Sequence, residues 1–492
     1  MIADQTAMAA ILMQALRFRE TGSRRSRGAD PDLARGDPSS LTRTRKGTGL
    51  CSDGAQIILR HLLETTRRPP VVVLTPITPQ PTGNGLAMRV ARTVESAAGN
   101  REVVVVVVPV AGEPLGTATI PGVQRVVRIP PGAGANRRPA LIRMLAQPVW
   151  RDRLQVSGIL PQAARAAPPM LADDIFSALG RPSGWAVHVA RAGLAPLGVA
   201  LAELIKAPFA TLDLDDDDET LLRSLGENAE ADAHRRLVSA FAGCFSGIWL
   251  AAPQEAAAVA ARHGVPTAVL PNSVRIPASP RRMPSGPPEL LFVGNLSYRP
   301  NVDAAAALVE QVQPSVRERT GLPIAVSLVG HHGGDPRVLS LGRRPGVMVR
   351  GFVGDLTESY ARASIVVAPL TDAAGTRIKL LEAFAHKVPV VATPAAAAGL
   401  SVQHGTHLLV GRTVAELASH VATLLADPRA GARLADEARR YVEINHSPPV
   451  VAARVKSLLD DAAENAHSVG DQPTAGSIPA GRMANAEPDA AG

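Results

Sequence analysis

Charged side chains of complementary chemistry are concentrated in the stretch TDAAGTRIKLLEAFAHKVPVVATP, residues 371–394. Arg377, Lys379 and Glu382 fall within two turns of a predicted helix that begins just after Gly375. The amino end of a helix already carries unpaired N–H groups and a partial positive charge, so two cations there are unfavourable on their own. A bound phosphate reverses that balance, and a glycine lets the backbone approach such a ligand closely. The pattern therefore indicates a phosphate-binding helix start.

Glu382 extends this candidate site. It lies three residues after Lys379, on the same face of the helix that begins near Thr376. Its carboxylate can accept hydrogen bonds from the two hydroxyl groups of a ribose. The alternative is an ordinary ion pair between Lys379 and Glu382 at a solvated helix start. Lysines are few among the 52 basic residues of the chain, which makes a lysine at this position informative.

The elements that must position these residues alternate between short apolar strands and helical stretches. Such strands, separated by helices, indicate parallel sheets that are covered on both faces. The first series of predicted strands covers 71–75, 102–108, 124–129, 185–190, 210–214, 247–252 and 267–271. The second series covers 289–294, 324–330, 347–351, 364–369, 389–393 and 407–411. The predicted fold class is therefore α/β, with two facing, doubly wound, Rossmann-like domains of parallel sheet. Because ligands bind beyond the carboxyl ends of such strands, we expect the site in the cleft between the domains.

Composition sets the predicted domain boundaries. Both ends of the chain are rich in Gly, Pro, Ser or Ala without sustained periodicity, which is typical of disorder. The linker between the domains is marked by the Pro- and Arg-rich stretch ASPRRMPSGPP. The predicted segments are a disordered or irregular extension (1–68), a first domain that holds the acceptor (69–277), the linker (278–288), a second domain that holds the donor (289–445), a C-terminal helix that can pack back on the first domain (446–461) and a disordered tail (462–492).

Four segments follow one another in an order that resembles a known family. They are VLPNSV (269–274), LLFVGNLSYRPNVDAA (291–306), RGFVGDLTESYARASIVVAPL (350–370) and AGTRIKLLEAFAHKVPVVATPAAAAGL (374–400). Two segments of the first half match more loosely: LTPITPQPTGNGLAMRV (74–90) and TLDLDDDDETLLRS (211–224). The chain resembles the retaining, GT-B-fold glycosyltransferases of family four, the group 1 transferases, most closely in its second half.

The resemblance implies transfer of a sugar from a nucleotide-sugar donor, such as a UDP- or GDP-sugar, to a glycan, polysaccharide or lipid-linked acceptor. Fixed cations and backbone N–H groups would then neutralise the diphosphate, so the implied hexosyltransferase chemistry needs no metal. By position in the motifs, the backbone of Gly375 and Thr376 would meet the diphosphate, and Arg377 and Lys379 would neutralise it. Glu382 would bind the ribose, and the backbone around Phe352 and Val353 would hold the base. The residues implied to lie beside the diphosphate are Gly294, Asn295 and Arg299. Gly83, Asn84 and Gly85 would form a loop that approaches the acceptor or the phosphate, with an ordinary turn as the alternative. His188, at the end of a predicted strand, is the candidate for a third catalytic side chain, with a structural histidine as the alternative.

Two positions depart from the family pattern. The family often has a further glutamate eight positions before Glu382, where this chain has Ala374, so one contact to the donor sugar is missing. His386 stands where a glycine usually ends the helix, and we expect a small stability cost of a left-handed backbone there. The first departure leaves open a second function: a GT-B protein that binds nucleotide sugar without transferring it and acts as a regulator or assembly partner. A sugar-nucleotide epimerase on the same fold is a third alternative, for which the sequence offers no matching catalytic side chains.

Other polar clusters have simpler interpretations. The acidic run from Asp213 to Glu219 contains a D-x-D spacing that can bind a metal, but acids also favour the amino end of a helix. His331 and His332 lack partner carboxylates or cysteines at useful spacing. GNG at 83–85 is not the G-x-G-x-x-G of nicotinamide-binding proteins. We therefore predict no metal and no cofactor besides the nucleotide-sugar co-substrate.

Charge and apolar pattern limit the location and the partners. The formal net charge is +8, and residues 125–153 are rich in arginine. Such a face can dock on an anionic membrane or acceptor, with a solvated surface as the alternative, and no recognition motif supports nucleic acid. No apolar segment reaches the roughly 18–20 residues of a membrane span, and 2 cysteines cannot form a disulfide framework. We therefore predict a cytoplasmic protein, with contact at the inner face of the cell membrane left open.

Overall fold

The part of the chain that this computed structural model describes contains two parallel β-sheets. The described residues are 68–109, 120, 122–123, 125–129, 147, 150, 153, 161, 164, 167–278, 286–371 and 378–470, with side chains described as far as 466. Both sheets lie within one compact unit of the chain. The predicted α/β class, with two doubly wound domains of parallel sheet, is confirmed by this architecture.

Seven parallel strands form the first sheet in the described residues: β1 (Val71–Thr75), β2 (Val103–Val107), β3 (Arg125–Arg128), β4 (Ala186–Ala190), β5 (Ala210–Asp215), β6 (Gly247–Leu250) and β7 (Thr267–Val269). They lie in the order β3-β2-β1-β4-β5-β6-β7. Strands β1, β2, β4 and β5 are buried along their whole length, because helices cover both faces of the sheet. Runs of valine suit that double burial, since β-branched side chains pack well on a pleated surface.

Six parallel strands form the second sheet in the described residues: β8 (Glu289–Val293), β9 (Ala325–Val329), β10 (Val347–Val349), β11 (Ile365–Ala368), β12 (Val390–Ala392) and β13 (Leu409–Val410). Their order is β10-β9-β8-β11-β12-β13. Each predicted strand of the second series is present, although the regular pairing is shorter than the apolar run. The strand predicted at 407–411, for example, pairs only at Leu409 and Val410.

Helices connect the strands in both domains. Those of the first domain are α1 (Gly85–Ala98), α2 (Leu171–Ala178), α3 (Ala195–Leu204), α4 (Asp218–Ser224), α5 (Asn228–Phe241) and α6 (Pro253–His263). Those that follow are α7 (Arg299–Ala307), α8 (Gln313–Thr320), α9 (Pro336–Leu341), α10 (Thr357–Arg362), α11 (Ile378–Ala385), α12 (Pro394–Ala397), α13 (Val414–Ala426), α14 (Pro428–Asn445) and α15 (Pro448–Gly470). Local sequence sets their ends: Asp427 caps α14 through its side chain, and Gly264 ends α6 in a left-handed conformation.

The strand order reverses once in each sheet. In the first sheet the chain turns back between β1 and β4, and in the second between β8 and β11. Loops that leave neighbouring strands at such a point diverge, which opens a crevice at the carboxyl edge of the sheet. The loop that contains residues 83–85 follows β1, the loop that contains Gly294 follows β8, and the loop to Lys379 follows β11. The topology therefore places three of the predicted binding segments at these two edges.

The last helix packs on the first domain although it follows the second in the chain. Val451, Val455 and Leu458 of α15 are buried in the same apolar cluster as Val90 and Val94 of α1. Arg101, which follows α1, forms an ion pair with Asp460 of α15 at 2.5 Å. The helix predicted at 446–461 is therefore longer than expected and completes one side of the first domain's core.

A chain of hydrogen bonds fixes the junction where α14 ends. The buried His446 has Nδ1 at 2.8 Å from the carbonyl oxygen of Asn272 and Nε2 at 3.1 Å from the hydroxyl of Tyr441. A carbonyl oxygen only accepts, so Nδ1 carries the proton and Nε2 accepts from Tyr441. The same hydroxyl accepts from the N–H of Ser401 at 3.2 Å. Burial lowers the pKa of His446, which agrees with a neutral ring in this arrangement.

The expected left-handed backbone at His386 is wrong by one residue. The positive φ falls on Lys387, at 56°, and His386 instead stacks its ring on Tyr360, with centroids 4.8 Å apart. Lys387 also pairs with Asp436 of α14 at 2.8 Å. The strain cost therefore belongs to a lysine, and the histidine contributes packing under α11.

Two glycines meet where β8 and β9 end. A Cβ on Gly330 would lie 1.7 Å from the carbonyl oxygen of Gly294, and Gly330 has a φ of 151°. Gly294 in turn donates its N–H to the carbonyl of Val329 at 3.0 Å. The obstructing atom belongs to the backbone, which cannot move aside without breaking this pairing. The close contact fixes the position of the loop that follows β8.

We expect Gly330→Ala to lower the free energy of unfolding by about 3 kcal/mol, since it combines a backbone clash with an unfavourable φ. Chemical denaturation of the purified variant measures this. Gly354→Ala is the matched control, because no atom lies within 4 Å of its added Cβ. Equal stability of the two variants would show that the loops separate easily.

Candidate functional site

Lys379 and Glu382 form a pair on the first described turns of α11. Lys379 Nζ lies 3.0 Å from Glu382 Oε2, and their side chains are 27% and 15% exposed. The opposite face of the helix is buried through Ile378, Leu381 and Ala385, so packing fixes which side turns outward. The predicted site residues Gly375, Thr376 and Arg377 lie outside the described residues, as does Ala374.

Tyr360 of α10 lies beneath this pair. It is completely buried, and its hydroxyl lies 3.1 Å from Glu382 Oε2 and 3.3 Å from the carbonyl oxygen of Lys379. Burial and the neighbouring Glu382 raise its pKa well above the usual range, so the hydroxyl keeps its proton and donates. Both Lys379 and Tyr360 therefore stabilise the charged carboxylate at one of its two oxygens, Oε2. Tyr360 was not among the predicted site residues, although it falls in the motif at 350–370.

The loop after β8 turns on its own hydrogen bonds. Asn295 Oδ1 accepts from the N–H of Ser297 at 3.0 Å, and Asn301 Nδ2 donates to the carbonyl of Asn295 at 2.9 Å. A Cβ on Gly294 would lie 3.0 Å from the side chain of Asn301, so a larger residue would have to displace that side chain. Arg299 at the start of α7 is 89% exposed and lies 3.7 Å from Asp303. The loop is thus rigid at Gly294 and Asn295, while Arg299 is a solvated side chain.

Phe352 and Val353 lie in the loop after β10 and differ in exposure. Phe352 is 65% exposed, whereas Val353 packs against the apolar cluster beneath α11. Next to them is a cavity of ≈ 290 Å³ that is open on one side. Its lining residues are Arg350, Val353, Asp355, Glu358, Ser359 and Arg362. This loop therefore offers both an exposed ring and a polar recess near the predicted base site.

The predicted acceptor loop approaches the second domain. Gly83 has a φ of 96°, and a Cβ there would lie 3.5 Å from the ring of Phe352. Asn84 caps α1, since its Oδ1 accepts from the N–H of Leu86 at 2.9 Å. Gly85 is the first residue of the helix. The sequence GNG therefore has a clear local role as a turn and cap, and it brings the predicted acceptor loop to the predicted base loop.

His188 lies in the interior of β4 and not at a strand end. Its Nδ1 is 2.9 Å from the hydroxyl of Thr211, and its ring packs on Trp249 with centroids 4.8 Å apart. Burial lowers its pKa from 6.5 to about 4, so the ring is neutral at physiological pH. The structure brings His188 together with the core of the first sheet and not with Lys379 or Glu382.

A buried ion pair at the carboxyl edge of the first sheet was missed by the sequence analysis. Arg89 of α1 makes two hydrogen bonds of 2.8 Å to the carboxylate of Asp213. The same guanidinium donates to the carbonyl of Leu270 at 2.8 Å and to Asn272 Oδ1 at 3.0 Å. Both charged side chains are almost fully buried. This group joins α1, β5 and the segment after β7, and through Asn272 it reaches His446.

The interpretation of the acidic run as a helix start is therefore only partly right. Asp217 does cap α4, since it accepts from the N–H and hydroxyl of Thr220. Asp213 and Asp215 instead lie at the end of β5, where the pairing with β6 shifts by one residue. A carboxylate run beside a buried strand was a signal for such a network, but no sequence pattern identifies Arg89 as its partner.

Two residues beside this network have unusual backbones. Arg191 after β4 and Asp215 have φ of 75° and 66°, and their side chains are 3.8 Å apart. Arg191 donates to the carbonyl of Leu214 at 3.0 Å and pairs with Asp218. Burial raises the pKa of Asp215, against the lowering effect of Arg89 and Arg191. These ion pairs stabilise a positive-φ backbone that residues other than glycine rarely adopt.

The described residues offer no further candidate for a metal or a membrane span. No three His, Cys, Asp or Glu side chains in them are arranged to hold a metal ion, and none of their helices combines the length and apolar character that crossing a membrane needs. Of the arginine-rich region 125–153, Arg125 donates to the carbonyl of Ala178 and Arg153 pairs with Glu203 at 3.4 Å. The arginines at 137, 138, 143 and 151 lie outside the described residues.

A family model described as "Glycosyl transferases group 1" matches residues 287–427. The match contains the loop after β8, the loop after β10 and the whole of α11. A comparison with curated proteins finds no match. The resemblance predicted from the sequence is therefore confirmed at the level of this family segment.

Solved structures with the same two-domain fold include several glycosyltransferases. Sucrose-phosphate synthase from Thermosynechococcus elongatus has a TM-score of 0.58 at 17% identity, over 80% of this chain and 98% of that one. Anabaena HepE in complex with UDP and glucose has a TM-score of 0.56 at 15% identity, over 80% of this chain and 100% of that one. The α,α-trehalose 6-phosphate synthase of Burkholderia multivorans has a TM-score of 0.53 at 15% identity, over 82% of this chain and 99% of that one. These likenesses show the GT-B fold.

We expect Arg89→Met to lower the free energy of unfolding by about 3–5 kcal/mol, because it leaves the buried Asp213 without its cation. Denaturant unfolding measures the loss. Arg92→Met, on the same helix, removes a partly exposed pair with Glu95 and should cost less than about 1 kcal/mol. A small loss in the Arg89 variant would mean that water can reach Asp213.

His188 should make the stability depend on pH. The unfolded chain binds a proton below about pH 6.5, whereas the folded ring takes one only near pH 4. Stability from the neutral ring is therefore complete above pH 6.5 and is lost as the pH falls toward 4, by about 3 kcal/mol in all. We expect His188→Gln to show a smaller decrease between pH 7 and pH 4.5 in denaturant unfolding. An unchanged decrease would show that the ring is accessible to protons in the folded state.

Proposed function

We propose that this chain, whose residues 287–427 match the group 1 glycosyl transferases and whose sheets form a GT-B fold, is a retaining glycosyltransferase that uses a nucleotide-sugar donor. The observation that carries the proposal is the pair Lys379–Glu382, partly exposed on α11 where the strand order of the second sheet reverses. A cation beside a carboxylate at this edge suits a ligand that has both a diphosphate and a ribose.

The two side chains would divide the donor between them. Lys379 supplies positive charge to the diphosphate, together with Arg377 and the N–H groups of Gly375 and Thr376, and Glu382 accepts from the ribose hydroxyls. As the bond between the sugar and the diphosphate breaks, negative charge grows on the phosphate oxygen. Fixed cations and N–H groups stabilise that charge most as it develops, which lowers the barrier. This scheme assigns no step to a metal ion.

The base would rest on the loop after β10. Val353 is held by apolar packing, so its backbone is a fixed surface, and the exposed ring of Phe352 lies beside it. HepE, which shares the fold, has been solved with UDP and glucose, and this supports a nucleoside diphosphate as the ligand class. UDP and GDP are both candidates for the present chain.

The acceptor would approach from the first domain, past Gly83 to Gly85. In a retaining transfer the acceptor hydroxyl attacks the anomeric carbon from the side that the diphosphate leaves. A new carbon–oxygen bond forms, the bond to phosphate breaks, and a phosphate oxygen takes the hydroxyl proton. The proposal includes a hexose as the transferred sugar and a glycan, polysaccharide or lipid-linked molecule as the acceptor. It also includes a cytoplasmic location, with contact to an anionic membrane through residues 125–153.

Ala374 favours a second candidate, a protein that binds nucleotide sugar without transferring it. The family often has a glutamate there, and its loss removes one contact to the donor sugar. A panel of UDP- and GDP-sugars, tested for binding, hydrolysis and transfer, separates the two candidates. Binding without turnover on any donor favours the second, and transfer of labelled sugar favours the first.

We expect Lys379→Ala to lower the turnover number by about 100-fold, by analogy with the loss of one hydrogen-bond donor at a developing oxyanion. Donor hydrolysis or transfer by the purified protein is the measurement. Lys387→Ala is the matched control just beyond the end of α11, where the lysine side chain is 41% exposed and pairs with Asp436. Unchanged turnover in the Lys379 variant would remove this side chain from the site.

A further inference from the structure

We propose that Tyr360 is a positioning residue that holds the Glu382 carboxylate in the orientation that binds the donor ribose; this rests on the proposed function. The proposal stands on three contacts: hydroxyl to Glu382 Oε2, hydroxyl to the Lys379 carbonyl, and ring to the His386 ring. Together they fix the phenol at its polar end and along its face.

The contacts leave the two oxygens of Glu382 in different roles. Tyr360 and Lys379 both meet Oε2, at 3.1 and 3.0 Å, and neither of these bonds involves Oε1. A phenol has one proton, and the nearer, charged carboxylate oxygen competes for it better than a carbonyl does. Oε2 is thereby anchored to the interior of the domain. Oε1 stays available to a ligand hydroxyl on the exposed side of α11.

The anchor matters because Lys379 has a second task. When a diphosphate binds, the ammonium group of Lys379 can turn from Glu382 toward the phosphate, which weakens its hold on the carboxylate. Tyr360 is completely buried and its ring is stacked, so it cannot follow. The carboxylate then keeps one fixed donor while its other partner moves. Preorganisation of this kind saves the entropy of ordering a side chain at the moment of binding.

Tyr360→Phe tests the proposal with little disturbance, because the buried ring and its stacking are retained. Calorimetry of the full chain with UDP and with 2′,3′-dideoxy-UDP gives the ratio of the two dissociation constants, which is the contribution of the ribose hydroxyls. We expect a ratio of about 10 or more in the native protein. In Tyr360→Phe the affinity for UDP should fall by about tenfold and that for the dideoxy ligand hardly at all, so the ratio approaches one. If GDP binds better than UDP, the same ratio is measured with GDP and 2′,3′-dideoxy-GDP.

The matched control is Tyr441→Phe, which removes a hydroxyl that is bonded to His446 and Ser401 in the same domain. It should leave the ratio at the native value. In a Glu382→Ala background, Tyr360→Phe should no longer affect UDP binding, which provides a second test.

Each other result has a definite meaning. An equal loss of affinity for both ligands, or no loss, overturns the positioning role and leaves the proposed function standing. A native protein that binds UDP or GDP without any penalty for the missing hydroxyls overturns it in the same way, since Glu382 is then not the ribose ligand. A native protein that binds neither nucleotide overturns this proposal and the proposed function together.

Discussion

Burial of parallel strands on both faces is the constraint from which the architecture follows. Strands such as VVVLT and VVVVV are apolar on both faces, so each must be covered twice, and the crossover to the next parallel strand is usually a helix that supplies this cover. All carboxyl ends then point to one edge of each sheet. Reversal of the strand order at β1/β4 and at β8/β11 separates the loops at that edge. The glycine contact at Gly330, the Asn295 turn and the Lys379–Glu382 pair all lie in such loops or at the helix that follows one.

The polar clusters of the two domains differ in burial and in role. In the first domain, Arg89 and Asp213 are fully paired in the interior, and they join three segments that are distant in sequence. In the second domain, Lys379 and Glu382 remain partly exposed. Oε2 of Glu382 accepts hydrogen bonds from both Lys379 and a buried tyrosine. A buried network whose charged groups pair with one another specifies structure. A pair with an unused oxygen on an outward face suits an exchangeable ligand.

The sequence predicts the fold well because its evidence is periodic and redundant. Every strand of both series was identified, and the predicted bounds differ from the observed ones by at most two residues at either end. The ion pair between Lys379 and Glu382 follows from their spacing of three residues in a local motif. The roles of Tyr360 and Arg89 and the hydrogen-bond partner of His188 could not be predicted in the same way. Their roles depend on partners 22, 124 and 23 residues away, and no local pattern encodes those distances.

The position of α15 has a consequence for how the protein is made. Val451, Val455 and Leu458 complete the core against α1, which lies more than 350 residues earlier in the chain. During synthesis the first domain leaves the ribosome long before this helix does. Its apolar side must therefore wait, uncovered, while the entire second domain is translated. A nascent chain halted before residue 448 would expose that surface to chaperones or to aggregation. The first domain can therefore complete its core only after the second domain has been translated.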